Sequence, residues 1–102
     1  MGRPEGTIEN YLRDRVKSLG GECRKCRWIG RRGCADDLIW FPLREGQTRP
    51  RYAFVECKAP GKMVDWRSLQ GREILAMRKA GWAVYVVSCK QEVDDMLLEV
   101  LG

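Results

Sequence analysis

The chain has no histidine, no second C-x-x-C to accompany Cys23-Arg24-Lys25-Cys26, and no long apolar run. Each absence excludes something. A tetrahedral zinc site needs four ligands; Cys23 and Cys26 offer two, and Cys34, Cys57 and Cys89 would have to be gathered from separate elements. Five cysteines is an odd number, so complete internal disulfide pairing is impossible. The longest apolar run, Ala83 to Val87, is far too short to cross a bilayer. Met1-Gly2-Arg3-Pro4-Glu5 lacks the apolar stretch of a signal peptide. A cytoplasmic protein with reduced thiols and no membrane association is therefore expected.

What is present fits one globular domain over residues 1–102: 44% hydrophobic and 32% charged residues, in a length that buries roughly two-thirds of the unfolded surface. Lys and Arg number 19 against 14 acids, a net charge of +5, which favours a polyanionic partner. The cations are clustered. Arg24, Lys25, Arg27, Arg31 and Arg32 crowd just ahead of Asp36-Asp37 and are the candidate nucleic-acid-binding residues.

Periodicity gives the elements. Ile8, Tyr11, Leu12, Val16 and Leu19 mark one face of a helix that Thr7 would cap and Gly20-Gly21 would end. Strands are expected at Glu22–Trp28, Asp37–Phe41 and Arg51–Lys58, the last two joined by an exposed loop between Pro42 and Pro50. A second helix should begin near Asp65 to Ser68 and run to Ala80. Trp82–Ser88 is a buried strand, and Lys90–Leu101 a final helix with Val93, Met96, Leu97 and Val100 inward. The order α-β-β-β-α-β-α predicts an α/β fold, a small mixed sheet flanked by helices, with a right-handed βαβ crossover after the third strand.

Strand alternation puts Tyr52, Phe54, Glu56 and Lys58 on one face. Alone, Glu56 and Lys58 are an ordinary ion pair at a strand end. Asp36 changes that. It begins the preceding strand, and antiparallel pairing across the Pro42–Pro50 loop brings that start opposite Glu56 and Lys58. Two carboxylates at such a distance repel unless a cation lies between them, and oxygen ligands without histidine suit Mg²⁺ or Mn²⁺. Such an ion polarises a phosphate and activates water, while Lys58 would orient that water or neutralise charge developing on phosphorus. Asp36 and Asp37 point to opposite faces, so only one can join Glu56.

Asp…Glu-x-Lys on adjoining strands resembles the PD-(D/E)xK nuclease superfamily with its restriction-endonuclease-like core. More narrowly, the chain resembles the VRR-NUC family, the virus-type replication-repair nucleases. The likeness runs over nearly the whole chain: Glu9 in the first helix, Arg32-Gly33-Cys34-Ala35-Asp36 before a hydrophobic strand, Phe54-Val55-Glu56-Cys57-Lys58-Ala59-Pro60-Gly61, Gln70 in the next helix, and the closing strand Ala83–Ser88. Ala35 stands where the family usually has proline. The resemblance selects Asp36, three residues after Gly33, as the metal-binding aspartate, leaving Asp37 to cap a turn or face solvent. It implies metal held by Asp36, Glu56, the Cys57 backbone carbonyl and Glu9, with Gln70 holding a water or Lys58. It further implies hydrolysis of DNA to 5′-phosphate and 3′-hydroxyl ends, in bacteria or virus-infected cells, by a homodimer suited to branched substrates such as four-way junctions.

Two other readings keep the residues without the chemistry. One is a non-catalytic nucleic-acid-binding module with zinc on Cys23 and Cys26. The other is an interaction domain presenting Trp28, Trp40, Trp66 and Trp82. The basic cluster bears on both. If it neutralises phosphates, removing one such cation should reduce the slope of log affinity against log salt by about 0.9 on duplex DNA. Arg31→Ala with Arg32→Ala should then weaken binding to all duplexes alike and flatten that slope in equilibrium titrations. An unchanged slope removes these two residues from the footprint.

Overall fold

The computed structural model describes residues 4–28 and 33–102. Within them the order is α1 (Pro4–Ser18), β1 (Glu22–Lys25), β2 (Asp37–Phe41), β3 (Arg51–Cys57), α2 (Leu69–Lys79), β4 (Val84–Val87) and α3 (Lys90–Leu101). One sheet runs β1-β2-β3-β4. The β1–β2 and β2–β3 pairs are antiparallel and β3–β4 is parallel, so the predicted mixed sheet and βαβ unit are both present.

Several boundaries differ from the sequence reading. α1 begins at Pro4, because a proline's fixed φ and missing N–H suit the first helical position; Thr7 therefore lies inside the helix and does not cap it. Leu19 falls beyond the helix end and is exposed. β1 stops at Lys25, the last residue with a partner on β2. Ser68, at the far end of the range given for the start of α2, is its cap: its hydroxyl accepts the Gly71 N–H at 3.1 Å.

The two faces of the sheet are covered unequally. On one, Ile8, Leu12 and Val16 of α1 and Val93, Met96 and Leu97 of α3 seal Ile39, Phe41, Ala53, Val55 and Val87. On the other, α2 alone contributes Ile74 to a smaller cluster with Ala35, Val64 and Val84, and Phe54, Met77 and Val86 are only partly covered. Burying such side chains stabilises by roughly 1.5–3 kcal/mol each. The α1/α3 face therefore carries most of the stability, and the α2 face stays open towards the end of β3.

Asp37 departs most from expectation. It does not face solvent or a turn: it is wholly buried on the α1 side, because alternation along β2 sends it to the same face as Ile39 and Phe41. Neither of its oxygens receives a protein hydrogen. Its neighbour is the carboxyl of Glu9, and two carboxyls can share a hydrogen bond only if one keeps a proton. Burial first, then Glu9, pushes Asp37 up to about 8. Glu9 itself is held below the usual carboxylate range, chiefly by the neighbouring Asp37 carboxyl and by Lys25, whose Nζ lies 3.2 Å away.

An acid raised in the folded state binds a proton that the unfolded chain has released above about pH 4. Its contribution is complete below that value and is lost as pH rises towards about 8. Urea denaturation in EDTA should therefore show wild-type protein less stable at pH 8 than at pH 5. Asp37→Asn should shrink that drop by roughly 1–3 kcal/mol; an identical drop in both proteins would mean that Asp37 carries no such proton.

Candidate active site

The β2–β3 register pairs Asp37 with Val55, which sets the preceding residue, Asp36, beside Glu56 on the α2 face. Asp36, Glu56, Cys57, Lys58, Ala59, Lys62 and Met63 line a pocket of about 410 Å³ at the end of β3. Asp36 is exposed at its mouth, whereas Glu56 is buried. Lys58 Nζ lies 3.8 Å from Glu56 Oε2 and donates a hydrogen bond to Gln70 Oε1.

Gln70 reaches Lys58 from the first turn of α2 because the chain before β2 lies tightly against that turn. A Cβ on Gly33 would stand 2.7 Å from Gln70 Cα, and Gly33 has φ +80°, a conformation glycine adopts at little cost. A larger residue there would be strained and would push α2 away from Lys58.

The electrostatics of the pocket are unbalanced. Burial, then the charge of Asp36, raises the Glu56 carboxyl above its usual range; Lys58, Gln70 and the Asp36 backbone N–H pull it back only in part. Glu56 Oε1 is buried without a hydrogen-bond donor. An orphaned carboxylate oxygen beside a second carboxylate is an incomplete oxygen shell, and it fits a hard divalent cation better than zinc. Among the described residues no cluster of three or more His, Cys, Asp or Glu side chains could hold a metal. Further ligands would have to be backbone oxygens, water or substrate, and Cys57 is among the residues that line the pocket.

The structure thus brings together Asp36, Glu56, Lys58 and Gln70, with Cys57 alongside. It does not bring in Glu9, whose carboxylate is turned to Asp37, Lys25 and Arg13 on the α1 side. Lys62 was missed from sequence. It follows Pro60-Gly61 in a turn closed by its N–H on the Ala59 carbonyl, 2.9 Å, and that turn is the signal that could have found it.

The basic cluster is partly self-neutralised. Arg24 bonds Glu22 at 2.6 Å and sits over the Trp40 ring, Lys25 is paired with Glu9, and Arg27 is exposed. Arg31 and Arg32 lie outside the described residues. Cys23 packs into the α1/α3 core, where burial pushes its thiol up to about 11. Among the described residues no further Cys, Asp or Glu joins Cys23 and Cys26 in a group that could hold a metal.

No helix among the described residues is long and apolar enough to cross a membrane. No family model matches the chain. A phage protein described as "Putative nuclease p44", from Acyrthosiphon pisum secondary endosymbiont phage 1, is 40% identical over 58 residues, 57% of this chain and 56% of that protein; the match therefore spans little more than half of that relative. A solved structure described as a VRR_NUC domain superimposes with a TM-score of 0.80 and 32% identity, covering 95% of this chain and 97% of that one. At that identity and that mutual coverage, over an α/β core of the same architecture, the chain belongs to the VRR-NUC family.

Proposed function

We propose that the chain is a nuclease that hydrolyses DNA phosphodiester bonds with Mg²⁺ or Mn²⁺. The observation that carries the reading is the shared pocket of Asp36, Glu56 and Lys58, in which a buried carboxylate oxygen lacks a donor. Asp36, Glu56 and the Cys57 carbonyl would hold the ion, which when bound supplies Lewis-acid activation of water and phosphate. Lys58, tethered by Gln70, presents an ammonium at the pocket wall where it would orient the attacking water and offset charge building on the phosphate oxygens. Lys62 at the rim would meet the strand's backbone. Glu9 reaches no metal in this scheme unless α1 moves. Family membership favours branched substrates such as four-way junctions, cut by a homodimer whose two sites face two strands.

The test is cleavage of single-stranded, duplex, flap and four-way-junction DNA with Mg²⁺, Mn²⁺ or EDTA. Lys58→Ala should lower the rate by about 10²–10³ or more while folding and most DNA affinity remain. Asp36→Asn should lose metal-dependent activity, and Asp37→Asn should keep much of it. Near-normal cutting by Lys58→Ala would sink the assignment, and a reversed pair of aspartate phenotypes would move the site to the other face. DNA binding with no cleavage under any metal would instead leave a non-catalytic binding module.

A further inference from the structure

Beside the carboxylate pocket, on the same sheet face, lies a groove the proposed chemistry does not use. Trp28, Cys34, Phe54, Glu73, Met77 and Trp82 line a cavity of about 410 Å³, within the roughly 300–1,000 Å³ usual for small-molecule sites. Its floor is the Phe54 ring. The indoles of Trp28 and Trp82 each meet that ring, at centroid distances of 5.8 and 6.0 Å, and Tyr52 closes the end against Phe54 and Trp82 at 6.1 Å from each. Trp28 is anchored by its indole N–H, which donates to the Ala35 carbonyl at 2.8 Å. Trp82 is 52% exposed. An aromatic cluster open to water is an unusual use of large apolar area unless something covers it.

The groove and the pocket share no lining residue but lie on one face of the sheet. Phe54 and Glu56 are two residues apart on one face of β3, about 6.7 Å along the strand. Cys34 lines the groove, Asp36 lines the pocket, and the buried Ala35 joins them. Lys58 and Lys62 supply cations in the pocket. The groove thus presents aromatic surfaces beside a place suited to phosphate, and the Glu73 carboxylate at its wall accepts the Cys34 thiol at 3.9 Å.

We infer that this groove takes an unpaired nucleobase of the strand whose phosphate lies at Asp36, Glu56 and Lys58. The inference rests on the nuclease reading and deepens it. Within paired DNA the base faces its partner and cannot enter, so the groove selects strands with unstacked nucleotides, as at flaps and branch points. Base–aromatic stacking of this kind tolerates any sequence because every base has a π face.

The test reads binding without cleavage, in EDTA, by anisotropy of labelled oligo-dT and of a labelled blunt duplex. Trp82→Ala should weaken oligo-dT binding by roughly five- to hundredfold and leave the duplex almost unchanged. Trp82→Phe should restore most of the affinity while reducing the quenching of tryptophan fluorescence by oligo-dT, a readout that stands even if the alanine variant fails to fold. Equal losses on both DNAs, unchanged oligo-dT binding, or a phenylalanine variant as weak as the alanine one would overturn the inference. So would a shift in sedimentation of Trp82→Ala without any single-strand defect, since the groove would then be filled by a second copy. Metal-dependent cleavage is scored separately: a chain that stacks oligo-dT but never cuts loses the nuclease reading and keeps the groove.

Discussion

The antiparallel register between β2 and β3 is the constraint from which the site follows. With Asp37 opposite Val55, alternation places Asp36 beside Glu56 and Asp37 against α1. A slip by one residue would exchange the two aspartates, but it would also turn every side chain of β2 to the other face. Ile39 and Phe41, both buried, would then be expelled from the α1/α3 core. That loss, roughly 1.5–3 kcal/mol for each side chain, exceeds what either aspartate could return by changing places. The placement of Asp36 beside Glu56 is thus fixed by the apolar residues of the opposite face.

The division of labour between the two faces has the same origin. Two helices close the α1/α3 side, so the α2 side can remain half open without unfolding the chain. The close approach of Gly33 to Gln70 connects the segment before β2 with the start of α2. It therefore links the segment that carries Asp36 to the amide that holds Lys58. Trp28, anchored on Ala35, belongs to the same segment. The segment before β2 and strand β3 each contribute to both the carboxylate pocket and the aromatic groove.

Much of this was legible in the sequence because it depended on local rules. Alternation grouped Glu56 with Lys58, the Pro42–Pro50 loop implied antiparallel pairing with Asp36, and the family resemblance pointed to Gln70. What was not legible depended on how distant elements meet. The burial of Asp37 and the turning of Glu9 towards it require knowing where α1 lies over β2, which no spacing within either segment reveals. The pairing of Lys25 with Glu9, which removes one cation from the basic cluster, is hidden for the same reason.

A basic protein with an acidic pocket must reconcile opposite requirements. The net charge of +5 draws in a polyanion from a distance, yet Asp36 and Glu56 would repel a phosphate at close range. Lys58 offsets only one of those charges, and its hydrogen bond to Gln70 holds it at the wall. The repulsion is already felt inside the protein, since burial and Asp36 raise Glu56 towards protonation. A divalent cation would reverse both effects, keeping the carboxylates ionised and presenting positive charge to the phosphate. Because it must displace whatever proton Glu56 retains, its binding would strengthen as pH rises. On the proposed reading, the imbalance of the pocket is the condition for holding the ion: carboxylates fully neutralised by the protein's own cations would have little affinity left for one.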